Sequence, residues 1–287
     1  MLTAATIDSA LRLALNEDAP WGDITGEAFI PAGAAARADL RAREDGVLAG
    51  IDVFARAFTL VDPSVAIELH AADGDAFTAG EVLATVSGPA RAVLQAERIA
   101  LNFCQRMSGI ASVTRRFVDA ADGRARIVDT RKTTPGLRAF EKHAVVCGGG
   151  HNHRFGLSDA VMAKDNHLAV LTGEGLSVAE AIRQARTRLP HTTRIEVEVD
   201  RLDQVPAVLE GEADIIMLDN FTPAQLREGV ELISGRAVVE ASGNVTLDTI
   251  PEIAATGVDV ISSGALTHSV RSIDLGLDLV LTNPAGN

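Results

Sequence analysis

Ile195-Glu196-Val197-Glu198-Val199-Asp200 is followed, after one helix-length interval, by Asp214-Ile215-Ile216-Met217-Leu218-Asp219-Asn220. Each is a short apolar run that ends in polar residues. The same rhythm predicts strands at 126–129, 160–163, 238–240 and 258–261, with helical segments between them. Strands that alternate with helices pair in parallel, and their carboxyl ends then open on one side. The residues expected at that mouth are Thr130-Arg131-Lys132, Lys164-Asp165-Asn166, Asp200, Asp219-Asn220, Ala241-Ser242-Gly243-Asn244 and Ser262-Ser263-Gly264. Six strand candidates rather than eight predict an incomplete α/β barrel.

Upstream, Ile7, Leu11, Ala14 and Leu15 keep helical spacing until Asn16 to Asp23 breaks it. Strand-like runs at 38–43, 65–70 and 81–87 surround a helix near 52–61 and predict a small α+β sandwich domain. Residues 90–121 read as two helices broken at Ser108-Gly109. The expected domains are 1–112, a sandwich, and 113–287, the barrel.

The 287 residues carry a net charge of -13 and only 3% aromatics, with no Tyr and one Trp, which disfavours nucleic acid as a partner. No basic start followed by an apolar block opens the chain, and no apolar run approaches the ~20 residues of a membrane span. Cys104 and Cys147 form no CxxC pair, so a reducing, cytoplasmic setting is expected.

Against that acidity, residues 131–167 hold six Lys or Arg against three acids, together with four of the seven histidines. Cations on loops at strand ends suit a polyanionic small molecule. Gly148-Gly149-Gly150 precedes His151-Asn152-His153-Arg154 and lets backbone N–H groups approach a phosphate or carboxylate. His151 and His153 are also conceivable metal ligands, but no third ligand lies at metal spacing nearby in sequence, so no direct metal site is assigned. Glu198 and Asp219 end successive strands, where they either stabilise developing positive charge or hold Mg²⁺; an ion-pair role is the alternative, above all for Glu196. By alternation Glu196 and Glu198 share a face, so a barrel interior receives both or neither.

Asp129-Thr130-Arg131-Lys132-Thr133-Thr134-Pro135-Gly136-Leu137-Arg138, Gly148-Gly149-Gly150-His151-Asn152-His153-Arg154-Phe155-Gly156-Leu157 and Lys164-Asp165-Asn166-His167 resemble, in that order, the motifs of the quinolinate phosphoribosyltransferase family. The likeness continues through Glu196 to Asp200, Leu218-Asp219-Asn220-Phe221, Glu240 to Asn244 and Gly264 to Ser269, and covers nearly the whole chain. It implies transfer of phosphoribosyl from phosphoribosyl pyrophosphate to quinolinate, with decarboxylation to nicotinate mononucleotide in NAD biosynthesis. It also implies an N-terminal sandwich, an incomplete barrel, a last helix returning to the first domain, and a homodimer or larger assembly.

Carried over by position, the resemblance gives Arg98 to the neighbouring subunit's site. It gives Thr130, Arg131, Lys132, His153, Arg154 and Lys164 to the carboxylates and phosphates, with Lys132, Glu198 and Asp219 as the catalytic set. Glu198 and Asp219 would face the ribose and a Mg²⁺ bound with phosphoribosyl pyrophosphate. Ser242, Gly243, Asn244, Ser263, Gly264 and Ala265 would hold the 5′-phosphate. Asn244 stands where the family has glycine; if the backbone there needs positive φ, Asn is the next-best residue. Three other readings are kept: a pyrophosphorylase-like relative associated with molybdate-transport operons, a Schiff-base lyase using Lys164, and a non-catalytic anion-binding protein.

Overall fold

The computed structural model describes residues 2–173 and 175–282; residues 1 and 283–287, the outer ends of the two expected domains, lie outside it. The described chain forms two compact units. One comprises the chain up to Arg115, Thr134–Gly149 and the segment from Ser269 on; the other comprises Arg116–Thr133 and Gly150–His268. Each unit therefore draws on more than one stretch of the chain.

In the first unit an antiparallel sheet is built on β1 (Ala35–Ala42), β3 (Ala66–Leu69) and β5 (Val82–Pro89), while β2 (Gly46–Val47) and β4 (Ala76–Phe77) pair separately. On β1 the residues Ala36, Ala38, Leu40 and Ala42 are buried, and Arg37, Asp39 and Arg41 take the other face, the period of a half-buried strand. The helix Ile51–Val61 buries Ile51, Val53, Phe54, Ala57 and Phe58, with the Phe54 and Phe58 rings in edge contact at 5.0 Å.

The break expected at Ser108-Gly109 is absent: a single helix of 32 residues runs over Ala90–Ala121. Both residues are explained by close packing inside the unit. Ser108 Oγ accepts from Ala49 N–H at 3.0 Å and donates to Ala49 C=O at 3.2 Å. At Gly109 a Cβ would collide with the Arg271 carbonyl, so glycine admits a neighbouring backbone and its weak helix propensity is tolerated.

The second unit is a parallel six-stranded sheet: β6 (Arg126–Val128), β7 (Val161–Ala163), β8 (Ile195–Val199), β9 (Ile215–Asp219), β10 (Val238–Ser242) and β11 (Val260–Ser262). The order β6-β11-β10-β9-β8-β7 places β6 and β7 at opposite ends of the sheet with no pairing between them, β6 being extended only by a bridge from Val128 to His151, so the barrel is incomplete, as expected. Ile195, Val197, Val199, Ile216, Leu218, Val239 and Ile261 are buried between the sheet and its helices. Ser177 with Glu180 and Thr222 with Gln225 form capping boxes that start two of those helices. The returning element expected to be a helix is a strand, β12 (Leu275–Thr282), which pairs with β1 from Ala42↔Leu275 to Ala35↔Thr282. Among the described residues no helix is long and apolar enough to cross a membrane.

Candidate active site

Register fixes the floor of the site. Glu198 pairs with Met217, and Met217 with Glu240, so these three lie in one row across β8, β9 and β10; Asp219 and Ser242 form the next row toward the carboxyl ends. Because side chains alternate along a strand, Glu196 and Glu198 share a face, as do Met217 and Asp219, and Glu240 and Ser242. That face opens into a cavity of about 810 Å³ at the carboxyl ends of the strands, within the usual size of small-molecule sites, ~300–1,000 Å³. A second cavity of about 680 Å³ is lined by Arg194, Asp214, Arg236, Val238 and Asp259 at the opposite strand ends, where barrels keep structural contacts.

The structure gathers residues distant in the chain around the first cavity. Thr130, Arg131 and Lys132 follow β6, His153 and Arg154 follow the glycine-rich turn, and Lys164 follows β7. Glu198 and Asp219 lie on β8 and β9, and Ser242, Gly243 and Asn244 lie at the end of β10. Ser263, Gly264 and Ala265 follow β11; all of these line the cavity. Arg98 does not. It is an exposed residue on Ala90–Ala121, in the other unit. The basic run 131–167 is divided as well, since Arg138 and Lys142 belong to the helix Arg138–Cys147 of the first unit.

Acids inside this mouth face its cations. Lys164 Nζ forms an ion pair with Glu198 Oε2. Asp219 receives Asn220 Nδ2 at 2.7 Å. Burial and the nearby Glu198 charge raise its pKa, against the opposing pull of Lys164 and Lys132.

His153 is clamped. Its backbone N–H donates to the fully buried Asp129 at 2.9 Å. Nδ1 accepts from Arg154 N–H at 2.7 Å, and Nε2 lies 3.1 Å from Glu196 and 3.5 Å from Glu240. Burial opposes charge on the ring, but the two carboxylates outweigh it and raise the His153 pKa to about 10; burial also raises that of Glu196. Both ring nitrogens thus have protein partners, so His153 stiffens the base of Arg154 more directly than it reaches substrate.

Asn220 and Ser262, expected at the strand ends, line the cavity too, and so do Glu240, Met162 and His268, to which sequence reasoning gave no role in the site. An acid inside the apolar run Val238-Val239-Glu240 was the available signal, because a carboxylate on a buried parallel strand needs a partner. Glu240 Oε1 and Ser262 Oγ are buried with no protein partner, leaving hydrogen-bonding capacity for a ligand or water.

The loop after β10 settles the Asn244 question: Asn244 has φ 51°, the left-handed region, and donates from Nδ2 to Asn220 Oδ1 at 3.0 Å. Gly243 has φ 89°, and any Cβ there would strike the Asn220 side chain. Ser263 Oγ bonds Val245 C=O and Ala265 N–H, both at 3.3 Å, so the hydroxyl is turned inward and braces the loop.

A half-open α/β barrel whose mouth combines Arg131, Lys132, Arg154 and Lys164 with two acids belongs to the class of enzymes that act on phosphorylated, carboxylate-bearing small molecules. Residues 110–278 match the family model described as quinolinate phosphoribosyl transferase, C-terminal domain, and residues 23–108 match the N-terminal domain model. The chain belongs to the quinolinate phosphoribosyltransferase family.

It is 43% identical over 268 residues to a probable nicotinate-nucleotide pyrophosphorylase [carboxylating] of Bacillus subtilis, covering 93% of this chain and 91% of that one. It is 44% identical over 292 residues to the nicotinate-nucleotide pyrophosphorylase [carboxylating] of Mycobacterium leprae, covering 97% and 100%. The crystal structure of NadC from Streptococcus pyogenes superposes with a TM-score of 0.93 at 44% identity, covering 99% of each chain.

Proton retention by the His153 cluster has a measurable sign. A free His has lost its proton well above 6.5, whereas the folded cluster keeps one toward pH 10, so this contribution to stability is complete below about 6.5 and is lost as pH rises to about 10. One such proton gives a slope of at most ~1.4 kcal/mol per pH unit. Urea unfolding from pH 6.5 to 10 is expected to show a shallower alkaline decline for Glu240→Gln than for the natural chain; parallel curves would contradict the coupling.

Proposed function

We propose that this chain transfers phosphoribosyl from phosphoribosyl pyrophosphate to quinolinate and releases pyrophosphate and carbon dioxide, giving nicotinate mononucleotide for NAD biosynthesis. The observation that carries it is the convergence of Arg131, Lys132, Arg154 and Lys164 on one cavity in a chain of net charge -13. Two guanidinium forks match a planar dicarboxylate in a way ammonium groups do not. Family membership and full-length similarity favour this reaction over the molybdate-associated, lyase and purely binding alternatives.

The pyridine nitrogen is itself the nucleophile, so the site needs no activated Ser or Cys. As the bond from C1′ to pyrophosphate breaks, positive charge grows on the ribose and negative charge on the leaving group. Asp219 and Glu198 on neighbouring strands stabilise the first, and Lys132 with Lys164 the second. The quaternised ring nitrogen then accepts the electron pair left when C2 loses carbon dioxide. The loops after β10 and β11 take the 5′-phosphate through backbone and hydroxyl donors, with Gly243 and Asn244 shaping the first of them.

Mg²⁺ entering with phosphoribosyl pyrophosphate is part of this reading. Glu198 and Asp219 offer the hard oxygen donors it takes, and a divalent cation would relieve the repulsion from Glu198 that, after burial, raises the Asp219 pKa. The ion would neutralise pyrophosphate oxygens as the leaving group departs.

A homodimer or larger assembly, with Arg98 reaching the neighbouring subunit's cavity, completes the proposal. Its support is the exposure of Arg98 and the apolar surface of Trp21, Ile24 and Phe29, which are 92%, 76% and 80% exposed and suited to cover by a second copy. A cytoplasmic setting is supported by the two free thiols.

Incubation with quinolinate, phosphoribosyl pyrophosphate and Mg²⁺ is expected to yield carbon dioxide and nicotinate mononucleotide in equal amounts; pyrophosphate release without carbon dioxide would point to another acceptor. For the shared site, Arg98→Ala and Lys132→Ala should each lower turnover at least 100-fold. Mixed dimers of the two should regain a substantial part through the one intact site. No recovery in verified mixed dimers would overturn the contribution of Arg98 across subunits.

A further inference from the structure

The first unit brings together three side chains that the reaction does not use. Asp73 lies on the turn before β4, and His143 and Cys147 lie four residues apart on the helix Arg138–Cys147, hence on one face of it. His143 Nε2 is 2.6 Å from Asp73 Oδ2, and Cys147 Sγ is 3.9 Å from the same oxygen. One ligand atom from each of the three lies within 4.8 Å of the other two.

We propose that Asp73, His143 and Cys147 form a binding site for one divalent transition-metal ion of the zinc class. The donor set is one oxygen, one imidazole nitrogen and one sulfur, a combination that selects zinc or cobalt over magnesium. Charge balances, since a carboxylate and a thiolate neutralise the ion and the imidazole binds neutral. The thiol proton leaves to solvent as the sulfur–metal bond forms, and no electron transfer is involved.

Three further features fit such an ion. Cys147 is the last residue of its helix, where the carbonyl ends of the peptide dipoles favour a cation. Asp73 is already oriented, because its Oδ1 accepts Ile51 N–H at 2.9 Å and leaves Oδ2 to face His143 and Cys147. His143 and Asp73 are 34% and 20% exposed, so an ion has a path in and a water can supply a fourth ligand. With metal bonds of about 2 Å, the His143–Asp73 contact must open by only roughly 0.7 Å to become two ligands of a tetrahedral ion.

Without a cation the arrangement is poor for sulfur chemistry. Burial and the Asp73 charge push the Cys147 thiol up to about 12, so it is no ready nucleophile; a metal ion reverses that local balance.

The test uses the full chain stripped with chelator and titrated with Co²⁺ and then Zn²⁺. One Co²⁺ per chain should bind with a thiolate-to-cobalt charge-transfer band, and Zn²⁺ should displace it while excess Mg²⁺ does not. Cys147→Ser should abolish the band, and His143→Ala should weaken Zn²⁺ binding at least tenfold. The His153, Glu196 and Glu240 cluster contains no sulfur and cannot produce that band. Absence of the band in the natural chain, or its persistence in Cys147→Ser, would overturn the site. Should Cys147→Ser fail to fold, the natural chain and His143→Ala decide it by the same readings.

Discussion

A parallel sheet has all its carboxyl ends on one side, and everything polar at those ends must share one mouth. Here that constraint acts on a chain with a large negative charge. Arg131, Lys132, Arg154 and Lys164 would be dispersed on an extended chain; the β/α repeat concentrates them around a single cavity. The field in that cavity is local, and the acidic exterior does not prevent the mouth from attracting anions.

The acids in the mouth keep this arrangement ordered. Lys164 pairs with Glu198, and His153 is held by Glu196 and Glu240 while it braces Arg154. Buried carboxylates of this kind are costly unless partnered, so each ties a catalytic-face cation to the strand beneath it. Incoming carboxylates and phosphates meet cations that are already oriented, and less ordering is left for the moment of binding.

Much of this was legible in the residues themselves. Six apolar runs that end in polar residues predicted the parallel sheet, and the three motifs around Arg131, His153 and Lys164 predicted its mouth. What escaped depends on contacts between distant segments. Ser108-Gly109 reads as a helix break in isolation, yet it admits the backbone at Ala49 and Arg271. The closing strand Leu275–Thr282 is specified by its partner β1, which lies over 200 residues earlier in the chain. Glu240 looked like part of a motif, whereas register with Met217 and Glu198 makes it a wall of the site.

The claim most open to refutation is that the cations act together on one ligand. Calorimetric titration of quinolinate into the natural chain, Arg131→Met, Arg154→Met and the double variant measures this directly. The account predicts weakening of at least tenfold in each single variant and a non-additive loss in the double, as expected for residues that grip one molecule. Unchanged quinolinate affinity in either single variant would contradict a common anion site at the barrel mouth.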